Sequence, residues 1–467
     1  MAEHPDSLYQ LKRTPLHART AALCLPQNWR RWAGCIAVGS YDLGLDREYW
    51  AIRDAAALID ISPLMKYLIE GPDAARLLHR LTPRDIHKMQ VGQVVYTGWC
   101  DDDGRMLDDG TITRLGPQTF RLTSAEPSLR WLAMNAIGLQ VTITEQTEQM
   151  AALSLQGPKS RAVLNACCTQ SLDGLKYFRM TANTLAGVPV TISRTGYTGD
   201  LGFEIWMEAS QAIAVWDALM VAGHDYGIVP CGILAMDMAR VEAGLFMLDV
   251  DYTAANHAWI QGQKSTPYEL GLGWAINLDK EGYFVGRKAL EKERREGSAW
   301  QMVGFEVDWV GLEALYGKVG LPPQIPGSAV RGSLPMMKDG VQVGYASTST
   351  WSPVLKKYIA LAHLQRPYFE PGTRLTIEVT VEHHRRQAPG TVVKLPFYEP
   401  AWKRKGWAAT ATTRSSSARA TPASSPPPIS RARARRSWCS SGARSSAAPR
   451  SPRRSSPATA SPSSPTW

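Results

Sequence analysis

Residues 193–206 read SRTGYTGDLGFEIW, and the glutamate near the end of that stretch poses the question that organises the chain. Three glycines and two threonines crowd around Tyr197, and a short strand-like run follows. Strand alternation puts Gly202, Glu204 and Trp206 on one face and Phe203 and Ile205 on the other. Phe203 and Ile205 suit a core, which turns Glu204 toward a groove that side-chain-free Gly202 leaves open. A buried carboxylate without a partner is costly, so Glu204 is either paired inside the protein or kept for a ligand. Its two oxygens only accept, and they match two adjacent N–H donors. An arginine offers that pair, and so does the amino-pyrimidinone edge of a pterin.

Outward from this stretch, residues 1–405 alternate short strands and helices. VVYTGWC (94–100) and TITRLG (111–116) read as strands joined across Asp- and Gly-rich turns. Helical spacing runs through 211–223, through 231–244 with a C-cap glycine, and through the charged segment 288–297. From about 300 to 400 the pattern changes to strands and turns: QMVGFEVDWV, GVQVGYASTSTW, YIALAHL, RLTIEVTVEHH and TVVKLPFYEP. That shift predicts a C-terminal β-barrel or sandwich, with 316–332 as a long Gly/Pro-rich loop. The expected division is therefore 1–297, 298–400 and a tail, 401–467.

The bulk numbers exclude several classes. At 467 residues the chain can hold two or three domains, and its 44% hydrophobic content is that of a globular protein. It has no apolar run long enough for a membrane helix, and its first residues show no secretory pattern. Seven scattered cysteines without a C-x-x-C pair argue against a disulfide framework or structural zinc, and fit the cytoplasm. Cys167 and Cys168 read as core packing. The net charge of +10 sits entirely at the end: 406–467 holds ten arginines and no Asp, Glu or Lys, leaving 42 basic against 42 acidic residues before it. This Arg/Ser/Ala/Pro-rich tail is expected to be disordered. It reads as an arm for RNA or acidic partners, as an inert extension, or as GC-rich coding sequence in a shifted frame, the reading we favour.

Among residues that could carry chemistry, Asp101, Asp102 and Asp103 before Gly104 are turn residues. Asp108 and Asp109 differ, because aspartate is depleted in strands and these two interrupt a hairpin. One suits a bulge or turn, and the other is a candidate for orienting or protonating an amine. His383 and His384 fall in a strand-like run that points them to opposite faces, which argues against a shared metal. No dinucleotide, Walker, nucleophile-elbow or zincin motif occurs.

With these pieces placed, the sequence resembles the folate-dependent aminomethyltransferases: the glycine cleavage T-protein and its relatives, including tetrahydrofolate-dependent demethylases. The resemblance rests on GQVVYTGWCDDDGRMLDDG (92–110), LSLQGPKS (153–160), RTGYTGDLGFEI (194–205), PCGILAMDMARVEAGL (230–245), YFVGRKAL (283–290) and STWSPVLKKYIALAHL (349–364), in the family's order. It implies an α+β fold, a three-domain cloverleaf of two α+β domains and a β-barrel around a central folate hole. It implies tetrahydrofolate as cofactor, with Glu204 on the pterin, Asp108 as the catalytic aspartate near N10, and Tyr96, Tyr197, Arg240 and Trp351 around the folate. No metal is expected. Departures lie on the acceptor side: Met236 where the T-protein motif carries an arginine, ISPLM at 61–65, and the added stretch 308–327. They favour a catabolic demethylase over glycine cleavage with its lipoyl carrier protein. Tyr252, in MLDVDYTAANHAW (247–259), falls where an aryl O-demethylase relative places its catalytic tyrosine. The expected partner is then a small one-carbon donor, an aromatic ether or methylenedioxy compound, with no membrane and nucleic acid only through the tail.

Overall fold

The structure, a computed structural model, describes residues 12–405. The tail expected to be disordered lies outside the described residues from 406 onward. The opening stretch becomes a turn followed by the strand Gly202–Glu208, which is central to a six-stranded sheet. The order is Met180–Leu185, Val188–Ser193, Gly202–Glu208, Met150–Gln156, Ala56–Asp60 and Ile228–Pro230, with only the last pair parallel. Phe203 and Ile205 bury against Val215, Trp216 and Leu219 of the helix Ala212–Gly223, with Val163 and Leu164 of the helix Ser160–Cys167. Trp206 turns to the other face, into a core shared with the helices Asp46–Asp54 and Ile233–Glu242. Alternation thus does what the residue types dictate. The gap over Gly202, however, is not an open groove: a side chain there would run into the amide of Gln156, which fills the space.

A second, five-stranded sheet follows the order Val94–Cys100, Met106–Gly116, Thr119–Ser124, Met65–Glu70, Thr142–Glu145. The strand expected at 111–116 begins earlier, at Met106, so Asp108 and Asp109 lie inside it rather than interrupting a hairpin. Asp101 closes the turn, its carboxylate accepting from the backbone N–H groups of Asp103 and Arg105. Cys100 pairs with Met106 but Trp99 pairs with Asp108, so Leu107 is an extra residue. This bulge decides which aspartate faces Tyr96.

A small three-stranded sheet orders Lys12–Arg13, Cys35–Ser40 and Asn28–Trp32, and the six strands from residue 300 on close an antiparallel barrel: Trp300–Val307, Lys357–Gln365, Val341–Ser352, Val330–Lys338, Arg374–Val381, His384–Val393, and back to the first. Two expectations change here. The strand read through 310 stops at Val307, because Asp308 caps a helix, Trp309–Gly317, by accepting from the N–H groups of Val310 and Gly311. His383 and His384 straddle a hairpin turn with rings 4.0 Å apart, not on opposite faces of a strand. No helix among the described residues is long and apolar enough to cross a membrane.

The helix Ile233–Glu242 is the hub between these parts. Gly244, just past its end, takes φ +63° and closes it as the sequence suggests. Its last residue, Glu242, accepts from Arg53 Nη2 at 2.5 Å, Tyr49 Oη at 2.6 Å and Ser352 Oγ of the barrel at 2.6 Å, all fully buried. Removing one partner of such an ion pair strands the other charge. Glu242→Ala is therefore expected to cost about 3–5 kcal/mol, read from urea unfolding. A change below about 1 kcal/mol would show that the cluster does not hold the barrel to the sheets.

Candidate active site

Glu204 sits between Ser154 and Ser193 in the sheet register, so small hydroxyl residues flank it on both sides. Thr195 Oγ1 donates to Glu204 Oε2 at 2.8 Å. Ser193 Oγ stands 2.7 Å from the same threonine hydroxyl and donates to it, since the threonine proton is already spent. Gln156, the residue over Gly202, accepts from Thr198 Oγ1 at 2.9 Å and donates to Ser154 Oγ at 2.8 Å, which fixes the turn that carries Thr195. Among the described residues no cation lies within 4.0 Å of the Glu204 carboxylate, and Oε1 has no hydrogen-bond partner. The nearest guanidinium, Arg121, instead donates to Thr191 at 3.1 Å and lies over the Trp206 ring. Burial raises Glu204 above the usual carboxylate range, only partly offset by Thr195 and the Arg121 charge. The arginine-pairing alternative for Glu204 is not what the protein builds.

The second half of the site hangs on Asp109. Its carboxylate accepts from Tyr96 Oη at 2.9 Å and from Tyr252 Oη in a shorter contact. Asp108, the expected catalytic residue, points the other way. It is 2% exposed, and its two oxygens accept backbone N–H bonds from Asp109 at 2.7 Å and Glu126 at 3.0 Å. Among the described residues the pair of carboxylates meets no cation at ion-pair distance. Burial, and then the neighbouring Asp109 charge, push Asp108 well above its ordinary value; burial also raises Asp109 against the pull of the two tyrosine hydroxyls. Burial and the aspartate charges likewise keep Tyr96 and Tyr252 protonated.

The structure thus brings Tyr96 and Tyr252 together around Asp109. Tyr197 joins them by location: two residues past Thr195, it donates to the Phe246 carbonyl and feels the Asp109 charge. Arg240 is placed differently from expectation. Fully buried, it donates to Asp237 at 2.8 Å, the Leu245 carbonyl at 3.0 Å, Thr348 Oγ1 at 3.1 Å and Asp251, so it is an internal strut and presents no face to a ligand. Trp351 lies on the barrel strand against Trp309, ring centroids 5.3 Å apart, and is not drawn into the Asp109 cluster. Sequence reasoning passed over Gln156, Thr195 and Trp274, whose ring stacks on Tyr96 at 5.9 Å.

Comparison with known proteins gives this arrangement its context. Residues 21–280 match the family described as the GCVT N-terminal domain, and residues 318–399 the glycine cleavage T-protein C-terminal barrel domain. The chain belongs to the glycine cleavage T-protein family. An aminomethyltransferase of Halothermothrix orenii is 34% identical over 354 residues, covering 75% of this chain and 90% of that protein. A trimethylamine-oxide aldolase of Ruegeria pomeroyi is 33% identical over 404 residues, 83% of this chain but 47% of that longer protein. The crystal structure of the glycine cleavage aminomethyltransferase T of Bartonella henselae matches the fold with a TM-score of 0.70, covering 84% of this chain and 99% of that one at 24% identity. The α+β architecture with its closed C-terminal barrel is therefore the T-protein fold, and the chain is a transferase of that family.

The two aspartates predict separable phenotypes. Asp109→Asn is expected to lower turnover by about 10²–10⁴-fold, and Asp108→Asn by less than about tenfold. Asp108 should instead mark stability. An unfolded aspartate ionises near pH ~4. Above that pH the folded protein holds the extra proton, so stability falls as pH rises toward the raised folded value. Asp108→Asn should flatten that fall in pH-dependent urea unfolding; an unchanged slope would contradict the assignment.

Proposed function

We propose that this T-protein family member transfers a one-carbon unit from a small ether, methylenedioxy or related donor to tetrahydrofolate. The arrangement that supports this best is the Glu204 carboxylate with an unpartnered oxygen, set in the same molecule as a carboxylate held between two tyrosine hydroxyls. The chemistry of the donor set fits a folate. Glu204 Oε1 is free to accept from the adjacent N–H groups of an amino-pyrimidinone ring, and Thr195 fixes Oε2 so that the carboxylate is already oriented. Tyr96 and Trp274 provide stacked aromatic surface beside Asp109. When bound, tetrahydrofolate supplies the nucleophilic N5 that accepts the carbon.

The protein's own task is to hold the donor at attack distance and to manage one proton. A phenolate or alkoxide is a poor leaving group in water, so a proton must reach the leaving oxygen as its bond to carbon breaks. Tyr252 stands ready as that donor, its hydroxyl proton held on Asp109. Burial lets the Asp108–Asp109 pair retain a proton to higher pH than free carboxyls do, so Asp109 would return a proton to Tyr252 after each transfer, and the pair would be restored by the proton released from the attacking amine. Through its bond to Tyr96, Asp109 would also be the group that orients the amine of a bound cofactor. The departures Met236, buried in a hydrophobic core, and the capped helix Trp309–Gly317 alter the family pattern without touching this cluster. The likeness to a protein named a trimethylamine-oxide aldolase supports a donor other than the glycine-derived one.

Glycine cleavage is the second reading, favoured by the aminomethyltransferases among the relatives. Dependence on a lipoyl carrier protein separates the two. The purified protein with tetrahydrofolate and a panel of methoxy-, methylenedioxy-, N-methyl and sulfonium compounds should move carbon to folate with no carrier present, followed by mass spectrometry. Tyr252→Phe should slow ether donors by about 10²-fold or more. Transfer seen only with an aminomethyl-lipoyl carrier would establish the second reading instead. Glu204→Gln should weaken tetrahydrofolate binding by about 10–100-fold in calorimetry, the loss of a charge-assisted pair; unchanged affinity would remove Glu204 from the cofactor site.

A further inference from the structure

One arginine near the site has no partner. Arg84 is half-buried, yet its guanidinium makes no hydrogen bond or ion pair with any described residue and rests over the Trp274 ring at 5.8 Å. Burial without an anion lowers its pKa, with no opposing charge. It lines a cleft of about 210 Å³ with Asp85, Lys88, Gln93, Val95 and Asn277. The one anion in that lining is already taken: Asp85 pairs with Lys88 at 3.2 Å and faces His79 at 3.6 Å. Arg84 is therefore the uncompensated charge, and withdrawing a guanidinium from water without an acceptor is unfavourable. Its planar fork matches a carboxylate.

The contacts run in one order: Asp109 to Tyr96, Tyr96 to Trp274, Trp274 to Arg84. Trp274 is 63% exposed, so the series leads from the buried carboxylates out to solvent. A folate carries the same sequence of chemistries: pteridine, N10, an aromatic ring, then a glutamate with free carboxylates. We propose that the Arg84 cleft is an anion subsite for the glutamyl carboxylate of the folate tail, with Lys88, Gln93 and Asn277 at its margin. This rests on the cofactor reading above. The subsite adds affinity and holds the tail away from the donor; it takes no part in the transfer.

The test is calorimetric and needs no turnover. Tetrahydrofolate is compared with its diamide, in which both glutamyl carboxylates are amidated, on the full chain. The wild type should bind tetrahydrofolate about tenfold or more tightly than the diamide. Arg84→Gln should erase that preference while leaving diamide affinity unchanged, and Arg84→Lys should keep part of it. If Arg84→Gln does not fold, the wild-type preference should still shrink as salt is raised. Equal binding of the two ligands by the wild type, a preference that survives Arg84→Gln, or one indifferent to salt would each overturn the subsite. Loss of the cofactor reading looks different: the wild type then binds neither ligand, and the subsite falls with it.

Discussion

A carboxylate drawn partly out of water and answered by hydroxyls instead of a guanidinium is the constraint around which this molecule is arranged. Glu204 is held in place by Thr195, which is held by Ser193, and the turn carrying Thr195 is held by Gln156 lying over Gly202. Every one of those groups spends its hydrogen-bonding capacity on position and none supplies positive charge. The result is an oriented acceptor whose desolvation the protein compensates only in part, a state that costs stability unless a ligand completes it. Glycine at 196 and 202 leaves the room that the Gln156 amide occupies, and a Cβ at either position would push that amide off its bonds to Thr198 and Ser154. The GYTGDLGFE pattern is therefore a packing requirement as much as a chemical one.

The rest of the fold reads as the means of keeping such unfavourable groups in place. Glu242 with Arg53, and Arg240 with Asp237 and Asp251, are charges fully paired inside the protein. They tie the helix Ile233–Glu242 to the barrel through Ser352 and Thr348. Among the described residues, Glu204 and the Asp108–Asp109 pair have no cation at ion-pair distance. The contrast sets the two paired clusters apart from the proposed site.

Much of this was legible in the sequence, and what was not has identifiable causes. Alternation alone placed Phe203 and Ile205 in the core, on the face covered by the helices Ser160–Cys167 and Ala212–Gly223. The β-rich pattern after 300 became the barrel for the same reason. Asp108 against Asp109 was not legible. In an unbulged hairpin Gly98 opposes Asp108, which would put that residue on the Tyr96 face. The extra residue Leu107 shifts the register by one and delivers Asp109 there instead. Composition carries no sign of a single-residue bulge. Arg240 misled for a different reason: it is wholly occupied by Asp237 one turn back on its own helix and by Asp251 in a loop whose path no local pattern reveals. Trp274 lies far along the chain from Arg84 and Tyr96, and only the folded structure stacks it against them.

The account stands or falls on what position 204 holds. A crystal structure of the protein soaked with tetrahydrofolate tests it most directly. The expected density shows the pteridine ring with two N–H groups on the Glu204 carboxylate, Thr195 still donating to Oε2, and the N10 side of the cofactor toward Asp109. Density in which Glu204 has swung onto Arg121, with the pteridine elsewhere or absent at saturating concentration, would contradict it.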